Sequence, residues 1–191
     1  MRRPVYAVVL AAGDATRFGG TKQLAELSGQ PMVAHAMKTA ANVCGNRIML
    51  VVGRESGSVA AACNGVPGFV VVNDNHSNGI GTSIACAVNR LRSVADAILI
   101  TLADQPLITA DHLQALIDSW QGGGDEIVAT GFSDTAGPPA LFARDCFADL
   151  EQLNGDNGGR NLLSDSRFRL TTVDFEPAAV DIDTPEDLRR I

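Results

Sequence analysis

The feature that most constrains the fold is a regular alternation of short apolar segments with segments of helical periodicity. Apolar runs bounded by turn residues are typical of buried strands, and the helices between them pack on the resulting sheet. The predicted strands are Val5–Leu10, Arg47–Val52, Phe69–Val72, Ala97–Ala103, Ile127–Thr130, Ala140–Phe142 and Phe168–Val173. The predicted helices are Pro31–Val43, Ser56–Cys63, Thr82–Leu91, Thr109–Trp120, Asp145–Leu153, Gly158–Ser164 and Thr184–Ile191. This order predicts one α/β domain over residues 1–191, a three-layer α/β/α sandwich with a mostly parallel sheet.

The composition argues against several classes of function. The formal net charge of −7 is unfavourable for binding nucleic acid, which requires a basic surface. The four cysteines form no Cys-x-x-Cys pair, and the three histidines show no spacing typical of a metal motif. We interpret the cysteines as reduced thiols of a cytoplasmic protein. No apolar segment is long enough to span a membrane, so we expect no membrane partner.

A glycine-rich, basic loop follows the first predicted strand, over Leu10–Lys22. Backbone N–H groups in such a loop can surround an anion, and Arg17 and Lys22 add the fixed positive charge that phosphates bind. The glycine spacing matches neither the Walker A pattern nor the dinucleotide-binding pattern. The alternative is a surface loop rich in turn residues, but one of the only two lysines in the chain stands here. The loop therefore indicates a nucleotide-phosphate site of another kind, with a cradle of backbone N–H groups from Ala12 to Gly20.

Carboxylates stand at two positions where a ligand could use them. Asp104 directly follows the strongly apolar strand Ala97–Ala103, and ligands of parallel sheets bind at the carboxyl ends of the strands. Asp181 and Asp183 alternate around Ile182, so their side chains point the same way if this segment is extended. Mg²⁺ prefers such oxygen ligands and commonly bridges to phosphate groups. The alternatives are a solvated turn residue at 104 and helix capping at 183, although capping does not explain Asp181.

Five segments, taken together, resemble the molybdenum cofactor cytidylyltransferases. This family belongs to the nucleotidyltransferases with a glycosyltransferase-A-like Rossmann-type fold. The first segment is typical of that larger group, and the last three in combination are more specific. The resemblance extends over essentially the whole chain, in the right order, through Leu10–Lys22, Leu102–Pro106, Gly137–Phe142, Gly155–Arg160 and Asp181–Leu188.

The resemblance implies transfer of CMP from CTP to molybdopterin-bound molybdenum, with release of pyrophosphate. The terminal phosphate of molybdopterin would be the nucleophile, and it is largely ionised at neutral pH, so no general base is needed. Mg²⁺ would be the cofactor, held by Asp104 with help from Asp181 or Asp183. Arg17 and Lys22 would hold the phosphates of CTP. The implied partner that receives the product is a molybdenum hydroxylase or its maturation chaperone.

The resemblance also assigns the contacts to base, ribose and acceptor. The nucleotide would lie against Leu10, Ala11, Ala12, Gly13, Gly79 and Ser83, and the acceptor against Pro139 and Arg160. Guanylyl-transferring relatives usually carry a second glycine where this chain has Ala12, so its methyl group is expected to favour a pyrimidine. Two alternatives stay open: a guanylyl or other nucleotidyltransferase acting on a phosphorylated metabolite, and an accessory protein that binds the cofactor for a molybdenum hydroxylase.

Overall fold

The computed structural model describes residues 4–13 and 18–191, and Arg17, predicted above to bind phosphate, lies outside them. The strands are β1 (Val5–Ala11), β2 (Glu26–Leu27), β3 (Gln30–Pro31), β4 (Ile48–Val52), β5 (Phe69–Val72), β6 (Ala97–Leu102), β7 (Glu126–Phe132), β8 (Thr135–Ala143) and β9 (Arg169–Asp174). The α-helices are α1 (Met32–Cys44), α2 (Ser56–Ala62), α3 (Ile80–Leu91), α4 (Ala110–Ser119), α5 (Phe147–Leu150), α6 (Arg160–Leu163) and α7 (Pro185–Leu188). Short 3₁₀ turns cover Lys22–Leu24, His76–Asn78, Arg144–Cys146 and Glu176–Ala179.

Seven of the strands form one sheet in the order β5-β4-β1-β6-β8-β7-β9. All neighbouring pairs are parallel except those of β8, which runs antiparallel to both β6 and β7. The reversal at β8 follows from a two-residue hairpin, in which Ser133 and Asp134 both have positive φ, 47° and 59°. The α/β class and the mostly parallel sheet are thus confirmed. The small hairpin of β2 and β3 was not predicted, because two-residue strands carry no readable periodicity.

Helices cover both faces of the sheet and enclose two apolar cores. On one face α1 and α4 contribute Val33, Met37 and Leu113, all buried. On the other face α3 contributes Ile84 and Val88, together with buried residues of α5 and α6. The sheet therefore lies between two helical layers.

The predicted helix boundaries hold best where a capping group fixes them. The hydroxyl oxygen of Thr109 accepts the backbone N–H of His112 at 3.2 Å and starts α4, as predicted. Thr184 starts α7, where the carboxylate of Asp187 accepts its backbone N–H at 2.8 Å. The helix predicted over Asp145–Leu153 is instead a 3₁₀ turn followed by the single turn of α5. No side chain caps the N-terminus of α5, so its first backbone N–H groups gain no side-chain acceptor. This agrees with the short length of α5.

Within the described residues, no helix combines the length and the apolar composition needed to cross a lipid bilayer.

Candidate active site

A cleft opens where the chain order of the sheet reverses direction. From β1 the chain moves to β4 and β5 on one side, and β6 then returns to the other side of β1. Ligands of open α/β sheets bind at such a switch point, outside the carboxyl ends of the strands. A cavity of about 350 Å³ lies there. Its lining comprises Leu10, Ala11, Ala12, Gly13, Lys22, Gln23, His76, Ser77, Gly79, Ile80, Ser83, Leu102, Ala103, Asp104 and Asp156.

The cavity brings together eight of the residues that the sequence singled out for the nucleotide and its phosphates. Those residues are Leu10, Ala11, Ala12, Gly13, Lys22, Gly79, Ser83 and Asp104. They come from three separate parts of the chain: the end of β1 with the loop after it, the start of α3, and the end of β6. Loops from three distant parts of the chain therefore meet at one rim of the sheet.

Lys22 forms the charged centre of the site. Its ammonium nitrogen lies 2.7 Å from Oδ2 of Asp104 and 3.0 Å from Oδ1 of Asp183. Burial alone would lower the pKa of Lys22, but the charges and hydrogen bonds of the two carboxylates outweigh it and raise that pKa. Lys22 therefore stays protonated at neutral pH and can exchange a carboxylate for a phosphate oxygen.

Asp181 belongs to the same acidic group. Although the residue is exposed overall, partial burial of its carboxyl group raises the pKa to about 6, with a further contribution from the nearby charge of Asp104. The backbone N–H of Ile182 donates to the carbonyl oxygen of Asp104 at 3.0 Å, which fixes this segment beside the end of β6. As the alternation predicted, Ile182 is fully buried while Asp181 and Asp183 are exposed on either side of it.

The carboxylates fit a hard divalent cation that is shared with a phosphate ligand. Within the described residues, no group of three or more His, Cys, Asp or Glu side chains is arranged to hold a metal ion alone. Mg²⁺ does not need such a cage, since it is usually bound by one or two carboxylates together with substrate phosphates and water. Asp104 and Asp183 already bind the same cation, the Lys22 ammonium, and so form a cation-binding pair.

The start of α3 is held by unusually close backbone packing. Gly79 has φ of 96°, a conformation that favours glycine, and the backbone N–H of Gly155 donates to the carbonyl oxygen of Asn78 at 2.8 Å. The backbone N–H of Gly81 returns a hydrogen bond to the carbonyl oxygen of Gly155 at 2.9 Å. The helix therefore begins at Ile80 rather than at Thr82 as predicted, and Gly79 and Gly81 allow the close packing against Asn154 and Gly155.

Replacing Gly81 by alanine should loosen this junction. A Cβ at Gly81 would lie 2.9 Å from backbone atoms of Asn154, which cannot rotate away. We expect Gly81→Ala to lower the free energy of unfolding by about 1–3 kcal/mol, measured by urea denaturation. Gly57→Ala is the matched control, because a Cβ at this exposed position in α2 meets nothing within 4 Å. That variant should be neutral or slightly more stable, and equal effects of the two substitutions would contradict the packing argument.

Ser83 reaches the cavity from inside α3, in a buried polar network that was not predicted. Nδ2 of Asn73 donates to Oγ1 of Thr82 at 2.9 Å and to Oγ of Ser83 at 3.0 Å. The hydroxyl of Ser83 accepts this hydrogen bond and so keeps its own proton for a further acceptor. Asn73 is only 4% exposed, and it fixes the orientation of that hydroxyl toward the site.

A second pocket of about 260 Å³ adjoins the first and shares Leu10, Ile80, Leu102 and Asp156 with it. Much of its lining is apolar, with Phe142 from β8 among its side chains. Its polar members include Arg160, which is exposed and has no carboxylate of the described residues within ion-pair distance. The pocket can therefore take an apolar surface together with an anionic group.

Pro139 is placed differently from the expectation. It is buried, and its carbonyl oxygen accepts the hydroxyl proton of Thr130 at 2.7 Å, whereas its neighbour Pro138 lines the second pocket. Thr130 in turn lies 2.8 Å from Nε2 of His112, whose buried ring stacks on Phe175 at 4.3 Å between centroids. Burial lowers the pKa of His112 and so favours its neutral ring, which packs against Phe175.

The cavity residues that the sequence did not assign to the site include Gln23, His76 and Asp156. Nε2 of Gln23 donates to the carbonyl oxygen of Gly13 at 2.9 Å and fixes the end of the cradle. His76 packs against Gly53, where an added Cβ would lie 2.8 Å from its ring. Asp156 lies between the two pockets and lines both. Asp156 could have been found from the sequence, since it stands in Gly155–Arg160, one of the segments that resemble the family. Nothing in the sequence indicated Gln23 or His76 except that each lies close to a predicted loop of the site.

Comparison with known proteins agrees with this geometry. The model of the MobA-like NTP transferase domain matches residues 7–172. The purine catabolism protein PucB of Bacillus subtilis is 31% identical over 199 residues, which cover 98% of this chain and 96% of that protein. GlmU of Rhizobium etli, described as a bifunctional protein, is 36% identical over 136 residues, but the match spans only 30% of its length.

Solved structures show the same fold over nearly the whole chain. The crystal structure of Rv0371c from Mycobacterium tuberculosis H37Rv is 29% identical, with a TM-score of 0.80 and coverage of 97% of this chain and 96% of that one. The same protein has also been solved in complex with manganese. Molybdopterin-guanine dinucleotide biosynthesis protein A from Archaeoglobus fulgidus shares the fold with a TM-score of 0.70 at 18% identity, covering 97% of this chain and 95% of that one. With its glycosyltransferase-A-like α/β fold and a domain match over most of its length, the chain belongs to the MobA-like NTP transferase family of nucleotidyltransferases.

Proposed function

We propose that this protein transfers CMP from CTP to the terminal phosphate of molybdopterin-bound molybdenum cofactor and releases pyrophosphate. The observation that carries the proposal is the pair of adjoining pockets. The first holds the cradle, Lys22 and Asp104, and the second is largely apolar and contains Arg160. A nucleotide in the first and a phosphorylated ring compound in the second would meet at their shared wall.

The cradle and Lys22 would bind and orient the triphosphate. Backbone N–H groups of the loop after β1 would surround the phosphates, and Arg17, from the sequence, would add a second cation. When CTP binds, the Lys22 ammonium would exchange one carboxylate contact for phosphate oxygens and stabilise the leaving pyrophosphate. The nucleophile is an ionised phosphate, so the chain has to reduce repulsion between two anions rather than remove a proton.

Asp104, with Asp181 or Asp183, would hold Mg²⁺, which supplies charge neutralisation at the α-phosphate. The support is that Asp104 and Asp183 already share one cation, and that the pKa of Asp181, raised mainly by burial, is raised further by the nearby charge of Asp104. Divalent metals are common in nucleotidyltransferases, and the manganese complex of Rv0371c agrees with such a site.

The second pocket suits a ring with an attached phosphate. Phe142 and the aliphatic side chains of α3 offer apolar surface for the ring faces, and Arg160 offers a cation with no carboxylate partner among the described residues. Molybdopterin combines a pterin ring with a terminal phosphate and so matches both parts. A molybdenum hydroxylase or its maturation chaperone would then receive the product.

The test is to incubate the protein with Mg²⁺, molybdenum cofactor and each nucleoside triphosphate in turn. We expect pyrophosphate and the cytosine dinucleotide product with CTP, and much less of either with GTP. Product with GTP alone would support a guanylyl transferase. Pyrophosphate that appears only with another phosphorylated metabolite would move the assignment to that acceptor. Cofactor binding without pyrophosphate release would favour an accessory protein.

Substitution of Ala12 should change the base preference. Ala12 lines the nucleotide cavity, and its methyl group would narrow the floor beneath a purine. We expect Ala12→Gly to raise the ratio of kcat/KM for GTP to that for CTP by about tenfold, the value of one methyl group in a tight pocket. Initial rates of pyrophosphate release with each nucleotide measure this ratio, and Ala11→Gly serves as the neighbouring control. An unchanged ratio in Ala12→Gly would refute the steric explanation.

A further inference from the structure

Gln105, the residue after Asp104, is a buried amide with an unusual set of contacts. Only 4% of it is exposed. Its Nε2 donates to the carbonyl oxygen of Ala178 at 3.0 Å and lies 3.5 Å from the carbonyl oxygen of Pro138. Among the described residues, no donor lies within hydrogen-bond distance of its Oε1. The fold therefore uses the donor end of this side chain and leaves the acceptor end unused.

The segment that Gln105 contacts carries Asp181 and Asp183, two of the three carboxylates proposed to hold the cation. After the 3₁₀ turn Glu176–Ala179, the chain reaches Thr184 without helix or strand hydrogen bonds. Its position therefore depends on individual contacts with the rest of the protein. Two of them are apolar, since Ala178 and Ile182 are both fully buried.

Several polar contacts hold this segment against the end of β6. Gln105 bonds the carbonyl oxygen of Ala178 and the carboxyl group of Asp181, the carbonyl oxygen of Asp104 accepts the N–H of Ile182, and the Lys22 ammonium bridges Asp104 and Asp183. Of these, the Lys22 bridge would be released when the lysine turns to a phosphate. The contacts of Gln105 and of Ile182 would then remain to set the separation between Asp104 and the acidic pair.

We infer that Gln105 is a positioning residue, which holds the C-terminal acidic segment at the distance from Asp104 that a shared divalent cation needs. This inference rests on the proposed function. It assigns Gln105 no contact with substrate. It predicts that removing its N–H donor weakens binding of the cation in the nucleotide complex but leaves metal-free nucleotide binding unchanged.

The experiment measures Mn²⁺ binding by electron paramagnetic resonance in the presence of the non-hydrolysable α,β-methylene analogue of CTP. Gln105→Met keeps the length of the side chain but removes the donor, and Gln114→Met, at a half-buried glutamine on α4 that does not line the cavity, is the control. We expect the Kd for Mn²⁺ to rise about fivefold in Gln105→Met, the value of one hydrogen bond, and to stay unchanged in Gln114→Met. The Kd of the analogue without metal, measured by calorimetry, should stay within twofold of wild type.

Two outcomes would overturn the inference. One is a Kd for Mn²⁺ within twofold of wild type, which includes the case in which wild type itself binds no Mn²⁺ with the analogue. The other is an equal loss of metal-free analogue binding, which a merely structural role would produce. If Gln105→Met does not fold, Gln105→Asn keeps the amide but is too short to reach Ala178, and it gives the same test. No acceptor is present in these measurements, so they stand apart from the question of whether molybdopterin is the substrate.

Discussion

Substituting Asp104 by asparagine should reduce pyrophosphate release from CTP by about a thousandfold while the protein stays folded. The neutral amide keeps the size of the side chain but loses the charge that attracts both Lys22 and a divalent cation. Removing one preorganised electrostatic contact to a reacting group typically costs 10²–10³ in rate, and here a metal ligand would be lost as well. The rate is measured with CTP, Mg²⁺ and molybdenum cofactor, and folding by thermal denaturation.

The matched control for this variant is Asp118→Asn, which removes the same charge on the exposed face of α4. Asp118 bonds only Gln114 in the described structure and lies on an element that does not line the cavity. We expect its rate to equal that of wild type.

The Lys22–Asp104 pair is partly solvated, so its loss should cost only about 1 kcal/mol of stability. Substantial Mg²⁺-dependent turnover in Asp104→Asn would refute the role of this carboxylate.

Substituting Lys22 by methionine should weaken CTP binding by about ten- to a hundredfold. This range corresponds to the 1.5–3 kcal/mol that a hydrogen bond to a charged group typically contributes. The same variant should not weaken Mg²⁺ binding, because the ammonium that now shares Asp104 and Asp183 would be gone. The two effects separate a phosphate-binding lysine from one that only organises the carboxylates. Calorimetric titration with CTP, followed by Mg²⁺ titration of the complex, measures both.

The chain provides its own control, since Lys38 is the only other lysine. Lys38 is exposed, and its ammonium nitrogen donates to Oε1 of Gln30 at 2.6 Å, on α1 away from the cavity. Lys38→Met should bind CTP as wild type does. An unchanged Kd for CTP in Lys22→Met would exclude the lysine from phosphate binding. A loss shared equally by both variants would point to net charge rather than to a specific contact.

Much of the candidate site could be predicted because strand order and strand ends follow simple rules. Lys22 and Asp104 lie 82 residues apart in the sequence, yet both follow apolar strands that pair in parallel, so their loops meet. Gln105 and Ala178 also meet, but their contact depends on the path of an irregular segment, which no local pattern specifies. The boundary of α3 was missed by two residues for a related reason. The glycines at its start are required by packing against Gly155, which only the folded chain shows.

By itself, the sequence determined the α/β alternation, the glycine-rich loop after β1 and the placement of Asp104 at a strand end. These features depend on local periodicity and on which residue types follow a buried strand. Only the tertiary structure decided that β8 runs antiparallel, that Pro138 rather than Pro139 lines the second pocket, and that Lys22 lies between Asp104 and Asp183. Packing between distant segments sets the direction of a strand and the side of the chain to which a side chain points. It also decides which carboxylates share one cation. Local propensity contains no information about such contacts.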